Sequence, residues 1–190
     1  DIDITANTTI KTAASDITFQ TGEIDITNGV TLVTINSGTG DLTLVNIHGD
    51  GTTDTTDLDI DGAAVTVKDI GLSTAKDEIN AVNIAGTTVN LNGSIYTGGS
   101  GNTIDITGAV TLGGNTIIDS SESGGAVTIT GAVTGTRDLD ILSGSGLATI
   151  TGNIGTGGTP LASLDINASN TTGHTGGVTL GGNIGTDSAA

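Results

Sequence analysis

A short phrase recurs along this chain: an apolar residue, then Asp, then Ile. It begins at residues 2, 24, 58, 104, 139 and 164. Val82-Asn83-Ile84 fills one gap, so that successive phrases start 22 to 35 residues apart. Alternating apolar and polar residues predict a short β-strand with one apolar face. One such unit cannot bury that face alone, whereas stacked units can, so the repeat predicts strands piled on one another.

A second apolar–polar–apolar phrase follows the first, and a lone apolar residue comes three to five residues after it. The second phrases are centred on Thr31, Thr66, Asn90, Thr111, Thr128, Thr149 and Thr179. Glycines separate the pieces, so each unit is expected to contain three short strands that pair in parallel with the next unit, about 4.8 Å away. We predict an all-β fold, a right-handed parallel β-helix (β-solenoid) of about seven to nine coils, with residues 1–190 as a single domain.

The alternatives for an all-β chain of this size are a β-sandwich and an up-and-down barrel. Their cores usually contain aromatic side chains, and this chain has only Phe19 and Tyr96. Ile, Val, Leu and Ala supply nearly all of the 34% hydrophobic residues, which is too many β-branched side chains for a disordered chain. A thin aliphatic core therefore favours the solenoid. Only residues 72–80 (LSTAKDEIN) have a helical signature, with Ser or Thr able to cap it.

The charge of the chain excludes two classes of partner. Four basic residues stand against 21 acidic ones, for a formal charge of −17. Nucleic acids and anionic membrane surfaces bind clustered Lys and Arg, so neither is an expected partner. No apolar run approaches the ~20 residues of a membrane span. Cysteine is absent, which excludes disulfides and thiolate zinc sites.

Residues 57–62 (DLDIDG) resemble the start of an EF-hand calcium loop. That loop needs a bidentate acid at its twelfth position, and counting from Asp57 this position is Lys68. The EF-hand interpretation therefore fails. If the repeated phrases stack, however, Asp59 belongs to an outward ladder of carboxylates, interrupted by Asn83.

Carboxylates about 4.8 Å apart repel by about 1 kcal/mol per pair in bulk water. Two interpretations stay open: a solvated acidic face, or carboxylates bridged by Ca²⁺, with loop residues adding oxygens to the ladder. The predicted ladder consists of Asp3, Asp25, Asp59, Asp105, Asp140 and Asp165. The candidate calcium ligands are Asp25, Asp59, Asp105, Asp140, Asp165, Asp50, Asp54 and Asp57.

Two further functions have weaker signatures. Outward Thr rows, for which we expect Thr31, Thr66, Thr111, Thr128, Thr149 and Thr179, are similar to those of ice-binding proteins, although Thr is also a common strand residue. Catalysis would need paired carboxylates at a defined separation or a base with a partner. His48 and His174 lie in separate polar connections without a Ser or Cys motif. We expect no enzymatic activity and assign no catalytic residue.

The phrases LDI, VTLGGNIGT (178–186) and ATITGNIGT (148–156) resemble the repeats of large bacterial surface and secreted proteins. Filamentous-haemagglutinin-like adhesins and autotransporter passengers are the families concerned. The resemblance covers most of the chain and lies in its composition and in the pattern of its repeats. It implies an extracellular or cell-surface stalk, adhesin or fibre, and it carries over no functional residue.

The repeated phrases run close to both ends of the chain, and neither end has a recognisable cap. Solenoids need caps because terminal coils expose apolar edges. We therefore expect either a segment of a longer repeat protein or subunits that stack end to end. The predicted function is a structural segment of an extracellular filament or adhesin. The alternatives are a module that binds a glycan or surface through its loops (48–57, 71–80, 118–125 and 167–177), and a polysaccharide-active enzyme.

Overall fold

The computed structural model describes residues 1–49, 55–73, 79–98, 102–167 and 175–185. Within these ranges every regular element is a β-strand and every strand pairing is parallel. The segment 72–80, with its helical signature, lies mostly outside the described residues. In chain order the strands are β1 (Ile2–Ile4), β2 (Thr8–Lys11), β3 (Ile17–Thr18), β4 (Glu23–Ile26), β5 (Leu32–Asn36), β6 (Leu42–Thr43), β7 (Asn46–Gly49), β8 (Asp57–Asp61), β9 (Ala64–Val67), β10 (Ala81–Leu91), β11 (Ile95–Tyr96), β12 (Ile104–Leu112), β13 (Thr116–Asp119), β14 (Val127–Thr130), β15 (Val133–Thr134), β16 (Asp138–Leu142), β17 (Ala148–Ile150), β18 (Ser163–Ile166) and β19 (Val178–Leu180).

Pairing sorts these strands into three faces that the chain visits in turn. The first face contains β1, β4, β7, β11, β13, β16 and β18, and isolated bridges at Ile70 connect β7 to β11. The second face contains β2, β5, β8, the first parts of β10 and β12, β14, β17 and β19. The third face contains β3, β6, β9, the second parts of β10 and β12, and β15. Each coil therefore contributes one segment to each face.

A row of stacked isoleucines counts the coils. Its members, one per coil on the first face, are Ile2, Ile24, Ile47, Ile70, Ile95, Ile118, Ile141 and Ile166. Successive members are 22 to 25 residues apart. Eight stacked residues correspond to about seven turns. The all-β parallel solenoid and its coil number are confirmed, and the right-handed sense of the coil stays a prediction.

Two more aliphatic rows line the other faces. The second face stacks Ile10, Ile35, Ile60, Ile84, Ile106, Ile129, Ile150 and Leu180. The third face stacks Ile17, Leu42, Val65, Val89, Val110, Val133, Ile154 and Ile184. In all three rows the inner members are buried, and only the first and last are exposed or half-buried. The core is thus a continuous aliphatic column along the solenoid axis.

Glycines form the corner between the second and third faces. A Cβ on Gly108 would overlap the carbonyl oxygen of Gly86, and a Cβ on Gly131 would overlap that of Gly108. Gly152 and Gly182 repeat this contact in the next two coils. Gly131 also has a φ of +147°, which L side chains rarely adopt. The corner is therefore tight because no side chain separates successive coils.

Candidate functional site

The aspartates of the repeated phrase lie on two faces, so the single ladder predicted from the sequence is wrong. The phrases of β8 and β12, with the matching phrase of β10, are on the second face, and those of β1, β4, β16 and β18 are on the first. Asp59 stacks between Thr34 and Asn83, not between Asp25 and Asn83. The two long intervals in the repeat, near residues 24–58 and 104–139, arise where the phrase changes face.

The aspartates of the first face are also out of phase with one another. Asp25 follows a member of the isoleucine row, Ile24, whereas Asp140 precedes one, Ile141. As a result Asp25 pairs with His48 on one side and Asp3 on the other. The neighbours that the structure does bring together are Asp3 with Asp25 and Asp140 with Asp165, while Asn83 lies between Asp59 and Asp105.

Amide side chains from the next coil donate hydrogen bonds to two aspartates of the second face, Asp57 and Asp59. Asn83 Nδ2 donates to Asp59 Oδ1 at 2.8 Å, and Asn80 Nδ2 donates to Asp57 Oδ1 at 2.7 Å. These hydrogen bonds relieve carboxylate repulsion without a cation, because an amide donor sits where a second carboxylate would repel. Asp50 and Asp54 lie outside the described residues. Calcium binding by any of these residues stays a prediction.

Among the predicted ladder residues, Asp140 has a raised pKa. Partial burial raises its pKa above the ordinary value of 3.8, and the neighbouring Asp165 and Asp138 carboxylates raise it further. Asp138 is itself held by Asn115 Nδ2 and Ser163 Oγ, each at 2.8 Å. Asp140 and Asp165 are therefore two stacked members of the predicted ladder whose mutual repulsion raises a pKa.

The predicted threonine row is divided in the same way. On the third face the row consists of Thr18, Thr43, Thr66, Asn90, Thr111 and Thr134. Thr128, Thr149 and Thr179 stack with one another on the second face, in the row that also contains Asp59. Thr31 precedes β5 and is held by Asn7. The six threonines do not form one flat array, so the single threonine row expected from the sequence is wrong.

His48 belongs to a cluster that the sequence did not predict. It lies on β7 beside Asp25 of β4, and the outward side chain two residues before Asp25 is Glu23. His48 Nδ1 is 3.5 Å from Glu23 Oε2, and the side chains are 15% and 44% exposed. One possible ligand atom from each of the three residues lies within 4.8 Å of the others. The isoleucine spacing is a sequence signal for this cluster. Ile47 is 23 residues after Ile24, so NIHG (46–49) aligns with EIDI (23–26).

A depression of about 280 Å³ lies on the other side of His48. It is lined by Asn46, His48, Asp69, Gly71, Leu72, Ser73 and Tyr96. Asp69 is already engaged, since its Oδ1 accepts a hydrogen bond from the Ser94 backbone N–H at 2.7 Å. The first face of coils two to five thus collects a histidine, a tyrosine and several acids in one region.

Comparison with protein-family models, with curated proteins and with solved structures gives no match. Among the described residues there is no helix with the length and apolar character needed to cross a membrane. What the chain does is therefore inferred from its fold and its side chains.

Proposed function

We propose that this chain is a rigid structural segment of an extracellular filament or large cell-surface adhesin, extended by laying coil on coil. The observation that carries the proposal is the exposure of three apolar side chains in the last described coil. Val178, Leu180 and Ile184 are 46%, 38% and 57% exposed. Their equivalents one coil earlier, Ala148, Ile150 and Ile154, are at most 2% exposed. A further coil would bury the last three as completely.

The backbone of β19 is also able to pair with a further coil. Gly181 N–H donates to the Ile150 carbonyl at 2.8 Å, and Ala148 N–H donates to the Gly177 carbonyl at 2.9 Å. Residues 177 and 181 thus direct their backbone groups toward β17. Because these groups alternate along a strand, those of Val178 and Leu180 point to the opposite side. This edge is a template for one more parallel strand.

The apolar surface beside Ile184 is also concave. A depression of about 310 Å³ is lined by Ile154, Gly155, Pro160, Leu161, Ala162, Ser163, Leu164, Ile184 and Gly185. An apolar depression at the end of a stacked core favours apolar side chains from another coil over a polar ligand.

The further coil that we propose belongs either to a continuation of the same chain or to a second copy of it. Its first coil has the required three-row pattern, since Ile2, Ile10 and Ile17 are the exposed or half-buried first members of the three rows. Placed in register, they would follow Ile166, Leu180 and Ile184. Head-to-tail stacking of this kind repeats without closing and produces a filament.

The scaffold role also agrees with the rest of the molecule. Parallel ladders along three faces and a continuous aliphatic column make each coil depend on its neighbours, and the outward rows of Asp, Asn and Thr keep the surface polar. The extracellular location comes from the resemblance of the repeats to those of surface proteins. The proposal assigns no catalytic step to the chain.

Electron microscopy and sedimentation of the purified chain over a range of concentrations test the proposal. We expect filaments that lengthen with concentration. Leu180→Lys and Ile184→Lys should abolish them, because each buries a charge at the junction. Leu72→Lys is the control, since Leu72 is 37% exposed and lies two residues after Ile70 of the fourth coil, away from both ends of the stack. Monomers at every concentration, or filaments that survive both junction substitutions, would overturn self-stacking.

A glycan-binding adhesin module is the second candidate, favoured by the depression beside His48. Tyr96 offers an aromatic ring, and Asn46 and Ser73 offer polar groups, which together suit a saccharide. A soluble monomer that binds glycans on an array, and loses that binding in a Tyr96→Ala variant, would favour this candidate over the filament.

A further inference from the structure

We propose that Glu23, Asp25 and His48 bind a divalent transition-metal ion of the zinc class on the first face, between the second and third coils. This proposal goes beyond the scaffold function and does not depend on it. The site would add a metal link between two coils that are otherwise joined by their backbone ladder and core packing.

The strands place the three side chains on the same surface. Ile24 and Ile26 of β4 point into the core, so Glu23 and Asp25, which alternate with them, point outward. His48 also points outward, because its neighbour Ile47 is the buried member of the isoleucine row. Asp25 and His48 are direct partners in the parallel ladder. Two strands that are fixed by their hydrogen bonds therefore position all three ligands.

The distance between His48 and Glu23 fits a shared ion. At 3.5 Å the Nδ1 and Oε2 atoms are farther apart than in a charge-assisted hydrogen bond, which is about 2.7–2.9 Å long. Two ligands at about 2.0–2.1 Å from a tetrahedral zinc ion are about 3.3 Å from each other. The pair is thus close to its metal-bound separation. Glu23 is 44% exposed and can rotate to close the remaining gap.

The ligand types select the class of ion. An imidazole nitrogen with two carboxylates suits Zn²⁺ and its neighbours in the transition series. Ca²⁺ takes six to eight oxygen ligands and gains nothing from the imidazole. Three protein ligands also leave the fourth tetrahedral position for water or for a group from another molecule.

The burial of His48 makes the arrangement more than an exposed acidic patch. Its side chain is only 15% exposed although it points to the outer surface, so the ring is held in place before an ion arrives. The net charge of −17 also draws cations toward the surface. The competing explanation is a simple ion pair between His48 and Glu23, which the experiment must distinguish from a metal site.

Calorimetric titration of the purified chain with ZnCl₂ tests the proposal, with the imidazole resonances of the two histidines followed by NMR. We expect one Zn²⁺ per chain and a shift of the His48 resonances. His48→Ala and Glu23→Gln should weaken binding by at least the roughly 10–100-fold that changes around metal ligands typically cost. His174→Ala and Asp140→Asn are the controls, and both should leave the affinity unchanged.

Circular dichroism of each variant shows whether it folds. Glu23→Gln keeps the shape of a partly exposed side chain, so it remains informative if His48→Ala fails to fold. Undiminished Zn²⁺ binding by His48→Ala or by Glu23→Gln would overturn the site. So would a shift confined to the His174 resonances, or equally tight binding of Ca²⁺, which would indicate carboxylates alone. An absence of Zn²⁺ binding by the unmodified chain would leave the ion pair as the explanation.

Discussion

Replacing Gly131 by alanine should destabilise the solenoid by more than its backbone conformation alone would cause. Gly131 has a φ of +147°, and a Cβ there would overlap the carbonyl oxygen of Gly108 in the preceding coil. Holding alanine in such a region costs about 1–3 kcal/mol. The shift that relieves the overlap costs about another 1–3 kcal/mol, because the corner is closely packed. The expected loss is therefore about 2–6 kcal/mol.

A Gly185→Ala variant separates the cost of the backbone conformation from the cost of the overlap with the neighbouring coil. The φ of Gly185, +138°, is close to that of Gly131, but nothing lies within 4 Å of the position of a Cβ. Gly29, with a φ of +93° and equally open space, gives the same comparison in the second coil. Both alanine variants should lose only the backbone contribution, about 1–3 kcal/mol.

Urea unfolding followed by far-UV circular dichroism measures all three variants against the unmodified chain, at a concentration low enough for every chain to be a monomer. Gly131→Ala should have the lowest unfolding midpoint. If Gly131→Ala were no less stable than Gly185→Ala and Gly29→Ala, the close approach of successive coils at this corner would be refuted.

Two other predictions concern the acidic surface. The raised pKa of Asp140 means that the folded chain keeps a proton that the unfolded chain loses just above pH 3.8, so this carboxyl makes the chain less stable as the pH rises through that window. Asp140→Asn should therefore raise the melting temperature at neutral pH and have no such benefit well below pH 3.8; a lower melting temperature at neutral pH would contradict this. If calcium bridges the aspartates, the unmodified chain should melt at a higher temperature in CaCl₂ than in EDTA, and identical curves would remove the calcium prediction.

The fold class was predictable because it depends on features that any stretch of the sequence displays. Alternation of Ile, Val or Leu with polar residues specifies short strands, and a core with almost no aromatic side chains requires a thin column. The coil number followed from the count of repeated phrases. The register did not follow, since Leu58-Asp59-Ile60 and Val127-Thr128-Ile129 occupy equivalent positions on the second face despite belonging to different phrases.

The reason is that a solenoid position requires only an inward aliphatic side chain and an outward polar one. Asp, Asn and Thr are interchangeable at the outward position, so a conspicuous Asp does not identify the face on which it lies. The isoleucine spacing does, because Ile24 and Ile47 must stack for the core to be continuous. That spacing places His48 beside Asp25. The aspartate phrases alone predict a polar connection between strands for His48.

Engineered disulfides test the coil-on-coil account most directly, because the chain has no cysteine of its own. Thr149 and Thr179 are partners within one chain, and Thr9 is the first described member of the same row. Adjacent parallel strands are close enough for a disulfide.

The Thr149→Cys, Thr179→Cys variant should therefore form a bond within each molecule. The Thr9→Cys, Thr179→Cys variant should form bonds between molecules and give a ladder of covalent oligomers on a non-reducing gel. Monomers alone from the second variant, while the first one crosslinks, would contradict stacking of the last coil on the first.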